Sequence, residues 1–127
     1  YELDIIQINY DPAMSEKLVE RFEMEGFNTA EVGQYPSVMN EMLDDFEILV
    51  DNGRVQTDNP LFIFCTNNTT VVTNIQSQKA PSKRKSPEHI DGFVAFLIGH
   101  KDSMDLMVEV GSEEEYEDYI KQLYNRK

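Results

Sequence analysis

Apolar and polar positions along this chain follow two rhythms in turn, short β-branched runs and longer stretches with helical spacing. "LDIIQINYD" is short, rich in β-branched residues and closed by Asp-Pro, and it predicts a buried strand from Leu3 to Tyr10. In "PAMSEKLVERFEMEG", Pro12 stands in a first-turn position and Met14, Leu18 and Phe22 recur at i, i+4 spacing. Gly26 then supplies a stop, so the segment reads as an amphipathic helix. "NTAEVGQ" reads as a second short strand. "PSVMNEMLDDFEILVDNG" reads as a second helix, capped by Ser37, facing inward through Met39, Met42, Leu43, Phe46 and Leu49, and ended by Gly53. Strand, helix, strand, helix at this spacing implies a parallel βαβ core with flanking helices. A parallel sheet is covered on both faces and has more than two strands, so the pattern calls for further strands upstream of Tyr1.

"NPLFIFCTNNTTVVTN" mixes a helix-start signal, Asn59-Pro60, with aromatic and β-branched content; it reads as a short helix at 60–66 and a strand near 69–74. In "KRKSPEHIDGFVAFLIG", Ser86 and Pro87 form a cap-and-first-turn pair for a third helix that runs to about His100. Ile90, Phe93, Val94, Phe96, Leu97 and Ile98 leave that helix almost no polar face, so it should be central. The chain changes character after Lys101. "GSEEEYEDYIKQLYNRK" has acids first, bases last and Tyr116, Tyr119, Ile120 and Leu123 on one face, the pattern of a dipole-matched terminal helix in an acidic extension over 101–127.

Length and composition bound what these elements can do. At 127 residues the chain is one domain's worth, and 24 acidic against 11 basic residues give a net charge of −13. That balance argues against a general nucleic-acid coating protein, whose affinity comes from Lys and Arg. It leaves room for a nucleic-acid enzyme with a local basic surface, and one is present. From Asn59 to Pro87 there is no acidic residue, while Lys79, Lys83, Arg84 and Lys85 fall within seven positions. A solvated loop with clustered bases is the plainer alternative. The single cysteine, Cys65, excludes an internal disulfide. No run approaches the 18 or so apolar residues of a membrane span and no signal sequence is present, so the expectation is a cytoplasmic protein without a membrane partner. The opening at Tyr1, directly before a strand pattern, reads as a piece of something longer or as a trimmed domain.

Candidate chemistry centres on two carboxylates. Asp91 lies about one turn into the apolar helix, and a buried carboxylate costs several kcal/mol, roughly, unless protonated, paired or metal-bound. Asp11 lies just past the carboxyl end of the first strand, where open α/β sheets place ligands. Brought together, the two would repel unless a divalent cation lay between them, and oxygen-only ligation suits Mg²⁺ or Mn²⁺. The basic residues ahead of Asp91 would then meet a phosphodiester. The alternatives are an N-cap and turn for Asp11, a rim carboxylate paired with Lys or Arg for Asp91, and a simply exposed first-turn imidazole for His89, which otherwise serves as a third ligand or phosphate contact. Cys65 sits in "FIFC", which looks like core, and neither phosphate-binding glycine motifs nor a zinc constellation occur.

These blocks, "NYDP", "EVGQ", "DNPLFIFCTNNTTVVTN" and, after a basic loop, "KSPEHIDGFVAFLIG", resemble in order the C-terminal nuclease part of tailed-phage terminase large subunits. The likeness runs from Leu3 to Gly99, about three quarters of the chain. It implies the later half of a ribonuclease H-like fold over residues 1–100, in which three acids hold two divalent metals and cut concatemeric double-stranded phage DNA during packaging. It further implies that Asp11 is the second acid and Asp91 the third, and that the first lies upstream of Tyr1. Asp4, inside the strand, is not a match. By the same resemblance the partners are phage DNA, the small terminase subunit and the portal, the setting is the host cytoplasm, and the fragment alone binds metal weakly and does not cleave. A non-catalytic acidic α/β interaction domain is the competing function. A receiver-like or flavodoxin-like domain lacks its phosphate- or flavin-binding loop.

Overall fold

The first strand pattern is realised over three residues. In the computed structural model of the chain, which describes residues 5–13 and 15–110, β1 covers Ile8–Tyr10, and Ile5 to Gln7 ahead of it are exposed and irregular. β1 pairs in parallel with β2, Thr29–Glu31, in the register Ile8 with Thr29, Asn9 with Ala30 and Tyr10 with Glu31. The crossover between them is helix α1, Glu16–Met24, so the expected βαβ unit is present. β1 is half-buried rather than buried, because among the described residues β2 is its one strand neighbour. Leu3, Asp4, Met14 and the terminal helix expected over 111–127 lie outside the described residues.

α1 starts later than its sequence pattern. Its inward stripe is Val19 and Phe22, an i, i+3 pair, while Leu18, expected on that face, is exposed. Its end is a Schellman motif. Gly26 at φ +90° adopts the left-handed conformation, its N–H and that of Phe27 bond to Glu23 O and Phe22 O, and the Phe27 ring packs edge-on against Phe22 at 6.0 Å. α2, Pro36–Asp51, closes in the same way through Gly53, with Arg54 N donating to Leu49 O. It begins one residue before the expected Ser37 cap, with Tyr35 in the cap position and Pro36 fixing the first turn. Met39, Met42, Leu43 and Phe46 form its buried face, as their spacing predicts.

α3, Pro60–Asn68, is started by Asn59, whose Oδ1 accepts from Leu61 N at 3.0 Å and Phe62 N at 3.2 Å. The strand expected near 69–74 is β3, Val71–Thr73. It forms an antiparallel hairpin with a strand absent from the sequence reading, β4, Lys79–Pro81. The turn is built on Asn74. Its Oδ1 accepts from Gln76 N and Gln78 N, both at 2.9 Å, and Ser77 completes the reversal at φ +62°. The outer edge of β4 meets α2, where Asn40 Oδ1 accepts from Lys79 N at 2.8 Å.

The basic segment after β4 is an ordered turn, not the start of a helix. Ser82 N donates to Thr70 O, and the Ser86 hydroxyl donates to Ser82 O at 2.8 Å while accepting from Thr70 N at 2.9 Å. Ser86 therefore ties the turn to the chain leaving α3, and its hydroxyl is committed before it can cap anything. The final helix, α4, runs from Asp91 to Val110, starting five residues later than Ser86 and extending ten beyond His100.

α4 is central. Ile90, Phe93, Val94, Leu97 and Ile98 are buried and pack with Met39, Met42, Leu43, Phe46, Cys65 and Ala80. Phe46, Phe62, Phe93 and Phe96 interlock around it, mostly edge-to-face, with centroids 5.0–6.4 Å apart. His100, stacked on Phe96, carries the tie from α4 to α2, with Nε2 2.6 Å from Asp45 Oδ2. Leu97, at 0 % exposure, lies at the middle of this packing. Leu97→Ala should cost about 2–5 kcal/mol in a urea unfolding series, and Leu97→Met less than about 1.5.

Candidate metal centre

Parallel pairing of β1 and β2 brings their carboxyl ends side by side, and the residues just beyond them converge. Asp11 follows β1 directly. One carboxylate oxygen, Oδ1, accepts from Ala13 N at 3.2 Å, the Asx-type turn expected of Asp-Pro, and Oδ2 accepts from the side-chain amide of Gln34, three residues beyond β2. A carboxylate has about four lone-pair positions, so both oxygens keep capacity for a further ligand. The Ser15 hydroxyl donates to the Asp11 carbonyl and fixes the backbone beneath.

α4 supplies the opposite wall. Asp91, Val94, Ala95 and Ile98 recur at i, i+3, i+4 and i+7, one stripe of the helix, and that stripe faces β1. Register between helix and strand is set by Asn9, whose amide donates to Ile98 O at 2.9 Å. Seven residues of helix rise by about 10 Å, so this anchor holds the helix two turns from Asp91. Between the walls lies an open cleft of about 300 Å³, lined by Asp11, Gln34, Lys83, Asp91 and the apolar side chains of Val94 and Ile98.

Asp91 differs from its sequence expectation. It is the first residue of α4 and not one turn inside it, and its side chain is 64 % exposed. No burial penalty has to be offset. The helix start instead favours its negative charge through the aligned N–H groups of the first turn. Lys83 Nζ lies 2.6 Å from Asp91 Oδ1, and His89 Nδ1 lies 3.7 Å from Oδ2. The Lys83 hydrogen bond, with its charge, holds the Asp91 carboxyl below the ordinary carboxylate value. The rim pairing weighed as an alternative for Asp91 is thus present, and the same carboxylate opens on the cleft that holds Asp11.

The remaining basic residues separate. Arg84 and Lys85 are exposed in the ordered turn, and the His89 side chain is 89 % exposed. Lys79 points the other way, to α2, where its ammonium is 2.6 Å from Asp44 and 3.0 Å from Glu47, and these carboxylates raise its pKa. Gln34 and Asn9 escaped the sequence reading as site residues. The signal for Gln34 was its offset from a strand parallel to the one bearing Asp11; nothing in the sequence singles out Asn9.

The available oxygen donors are two carboxylates, with the Gln34 amide turned through its nitrogen to Asp11, and oxygen donors of this kind fit a hard divalent cation. They form an incomplete set, since among the described residues no group of three His, Cys, Asp or Glu side chains gathers to hold an ion. The fold around it is that of part of a ribonuclease H-like nuclease domain. It is similar to the crystal structure of the HK97 bacteriophage large terminase, with a TM-score of 0.70 and 25 % identity over 79 % of this chain and 22 % of that chain. The chain belongs to the terminase large subunit endonuclease domain family, whose pattern it matches over residues 1–108. No curated protein matches it.

Two outcomes follow from this geometry. Lys83→Met should raise the Asp91 pKa towards its ordinary value, read by carboxyl NMR titration. The lowered folded value means that the ion pair stabilises the fold at pH above the unfolded carboxyl pKa and that this contribution disappears as pH falls through the folded one. Gly92, next to Asp91, lets α4 approach α3 closely, because a Cβ there would lie 3.2 Å from the Sγ of buried Cys65. In a double-mutant cycle, the effect of Gly92→Ala on stability should be less unfavourable in a Cys65→Ala background than in the native one.

Proposed function

We propose that this chain supplies Asp11 and Asp91 as two acids of a metal-dependent endonuclease centre that cuts concatemeric double-stranded phage DNA during packaging. The supporting observation is that carboxylates 80 positions apart in sequence line one cleft with Lys83, in a chain of the terminase endonuclease family. In this reading Mg²⁺ or Mn²⁺, when bound, activates the attacking water and stabilises the leaving oxygen of an in-line displacement. Asp11 presents a carboxylate held in one orientation by Ala13 N and the Gln34 amide. Asp91 presents its carboxylate from the start of a helix whose apolar side is locked in the core. Lys83 neutralises Asp91 at the cleft, and its ammonium would be available to a phosphate oxygen of the DNA. Arg84, Lys85 and His89 contact the DNA backbone beside it, while Lys79, taken up by Asp44 and Glu47, contributes less.

Two carboxylates are too few to fix two cations, so a third acid completes the centre and the chain alone is a weak binder without cleavage. Residues 1–100 form the later half of the nuclease domain and 101–127 an acidic extension that docks on other parts of the assembly. DNA, the small terminase subunit and the portal are its partners, and the host cytoplasm its setting.

A Mn²⁺ titration of the chain followed by NMR should broaden signals around Asp11, Gln34 and Asp91 first, and Asp91→Ala should remove that effect. In the large subunit that contains this domain, Asp91→Ala should lower plasmid nicking at least about 100-fold. Broadening confined to the acidic surface of α1, or full nicking by the Asp91→Ala subunit, would overturn the assignment.

A further inference from the structure

Ile75 is the most exposed large apolar side chain among the described residues, at 99 %, and it stands at the tip of the β3–β4 hairpin. Single exposed apolar residues are ordinary on protein surfaces. This one differs in how its turn is made. Asn74 spends its whole side chain on the turn, accepting from Gln76 N and Gln78 N through Oδ1 and donating to Gln76 Oε1 and Gln78 Oε1 through Nδ2. Asn74 N donates to Gln78 O and Ser77 N to Asn74 O, so the reversal is closed by main-chain bonds as well. The β-branched side chain of Ile75 has few rotamers of its own. The result is a stiff apolar point flanked by amides and raised clear of the protein.

The surroundings of that point suit nucleic acid. The segment from Asn59 to Pro87 carries no acidic residue in a chain of net charge −13. The one cation on the hairpin, Lys79, is held by Asp44 and Glu47 on α2, and no residue from Asn74 to Gln78 carries a charge, while Lys83, Arg84 and Lys85 follow after β4. Ile75 and Lys83 are eight positions apart, a reach of at most about 29 Å, which is less than one turn of duplex DNA. Tip and cleft can therefore touch one duplex within a single helical turn.

We propose that the β3–β4 hairpin is a minor-groove wedge, in which Ile75 enters between two base pairs and partly unstacks them while the neighbouring amides meet the groove edge. An apolar side chain flanked by polar groups is the means by which proteins kink duplexes from the minor groove. Pyrimidine–purine steps unstack most easily, so the wedge favours a TA step and gives the cleft a sequence-dependent deformability preference without direct base readout. This inference rests on the reading that the cleft acts on duplex DNA, and its test separates the two.

The full 127-residue chain is titrated at low salt with a 20-base-pair duplex bearing 2-aminopurine for the adenine of a single TA step, and with a duplex bearing it in an A-tract. Binding should raise the fluorescence at the TA step and leave the A-tract probe nearly unchanged. Ile75→Ala should bind about tenfold more weakly and lose the fluorescence rise, with the same salt dependence, and Ile75→Leu should restore both. Lys83→Ala with Lys85→Ala should reduce the salt dependence and keep the fluorescence rise at saturation. Binding by the native chain with no fluorescence rise, or an unchanged rise in Ile75→Ala, overturns the wedge and leaves the nuclease reading standing. Absence of duplex binding by the native chain overturns the wedge and removes duplex contact from the nuclease reading of this chain.

Discussion

The arrangement of the whole chain depends on burial of one side of α4. Ile90, Phe93, Val94, Leu97 and Ile98 leave water together, and every other layer arranges itself to cover them: α2 with Met39, Met42 and Phe46, α3 with Cys65 and Phe62, the hairpin with Ala80. The apolar surface so removed is the largest favourable term available to a chain whose net charge of −13 works against compaction. β1 and β2 lie on the remaining side of the helix, tied to it by the Asn9 amide on the Ile98 carbonyl and by Gln7 on Asp102, with Val32 after β2 buried in the core. The cleft lies between these parts, with Asp91 on the helix that enters the aromatic core and Asp11 at the end of a three-residue strand.

This asymmetry gives the two carboxylates different supports. Asp91 is positioned by a helix whose next residues are core, with Lys83 and the exposed His89 imidazole beside it. Asp11 stands on a three-residue strand, and its orientation comes instead from its own turn and from Gln34. Where packing cannot hold a ligand, hydrogen bonds from a neighbouring carboxyl end do.

Much of this was readable from the residues because helical periodicity reports burial directly. The inward faces of α2 and α4, the Asn59 start of α3 and the glycine ends of α1 and α2 all follow from spacing and capping chemistry. What was not readable was set by contacts distant in sequence. Ser86-Pro87 looks like a helix start, but its hydroxyl is claimed by Thr70, sixteen residues earlier, so the helix begins at Asp91 and the carboxylate expected to be buried is exposed. β4 was invisible because "KAP" carries no strand signal of its own; its pairing with β3 and with Asn40 decides it. The ordered blocks around Asp11 and Asp91 singled out two carboxylates that share one cleft, whereas Gln34 joins that cleft only once the strands are known to run parallel.

Asn40 has one further consequence. Its carbonyl oxygen takes the Lys79 N–H, and its amide donates to Asp44 at 2.8 Å, whose carboxylate in turn holds the Lys79 ammonium. A side chain from α2 thus occupies a main-chain donor of β4 that an added strand would need, which blunts that edge against self-association. The same three bonds clamp the hairpin to α2. A load applied at the hairpin tip is therefore carried by that clamp into α2 and the core that α2 lines, as well as along the backbone towards Lys83.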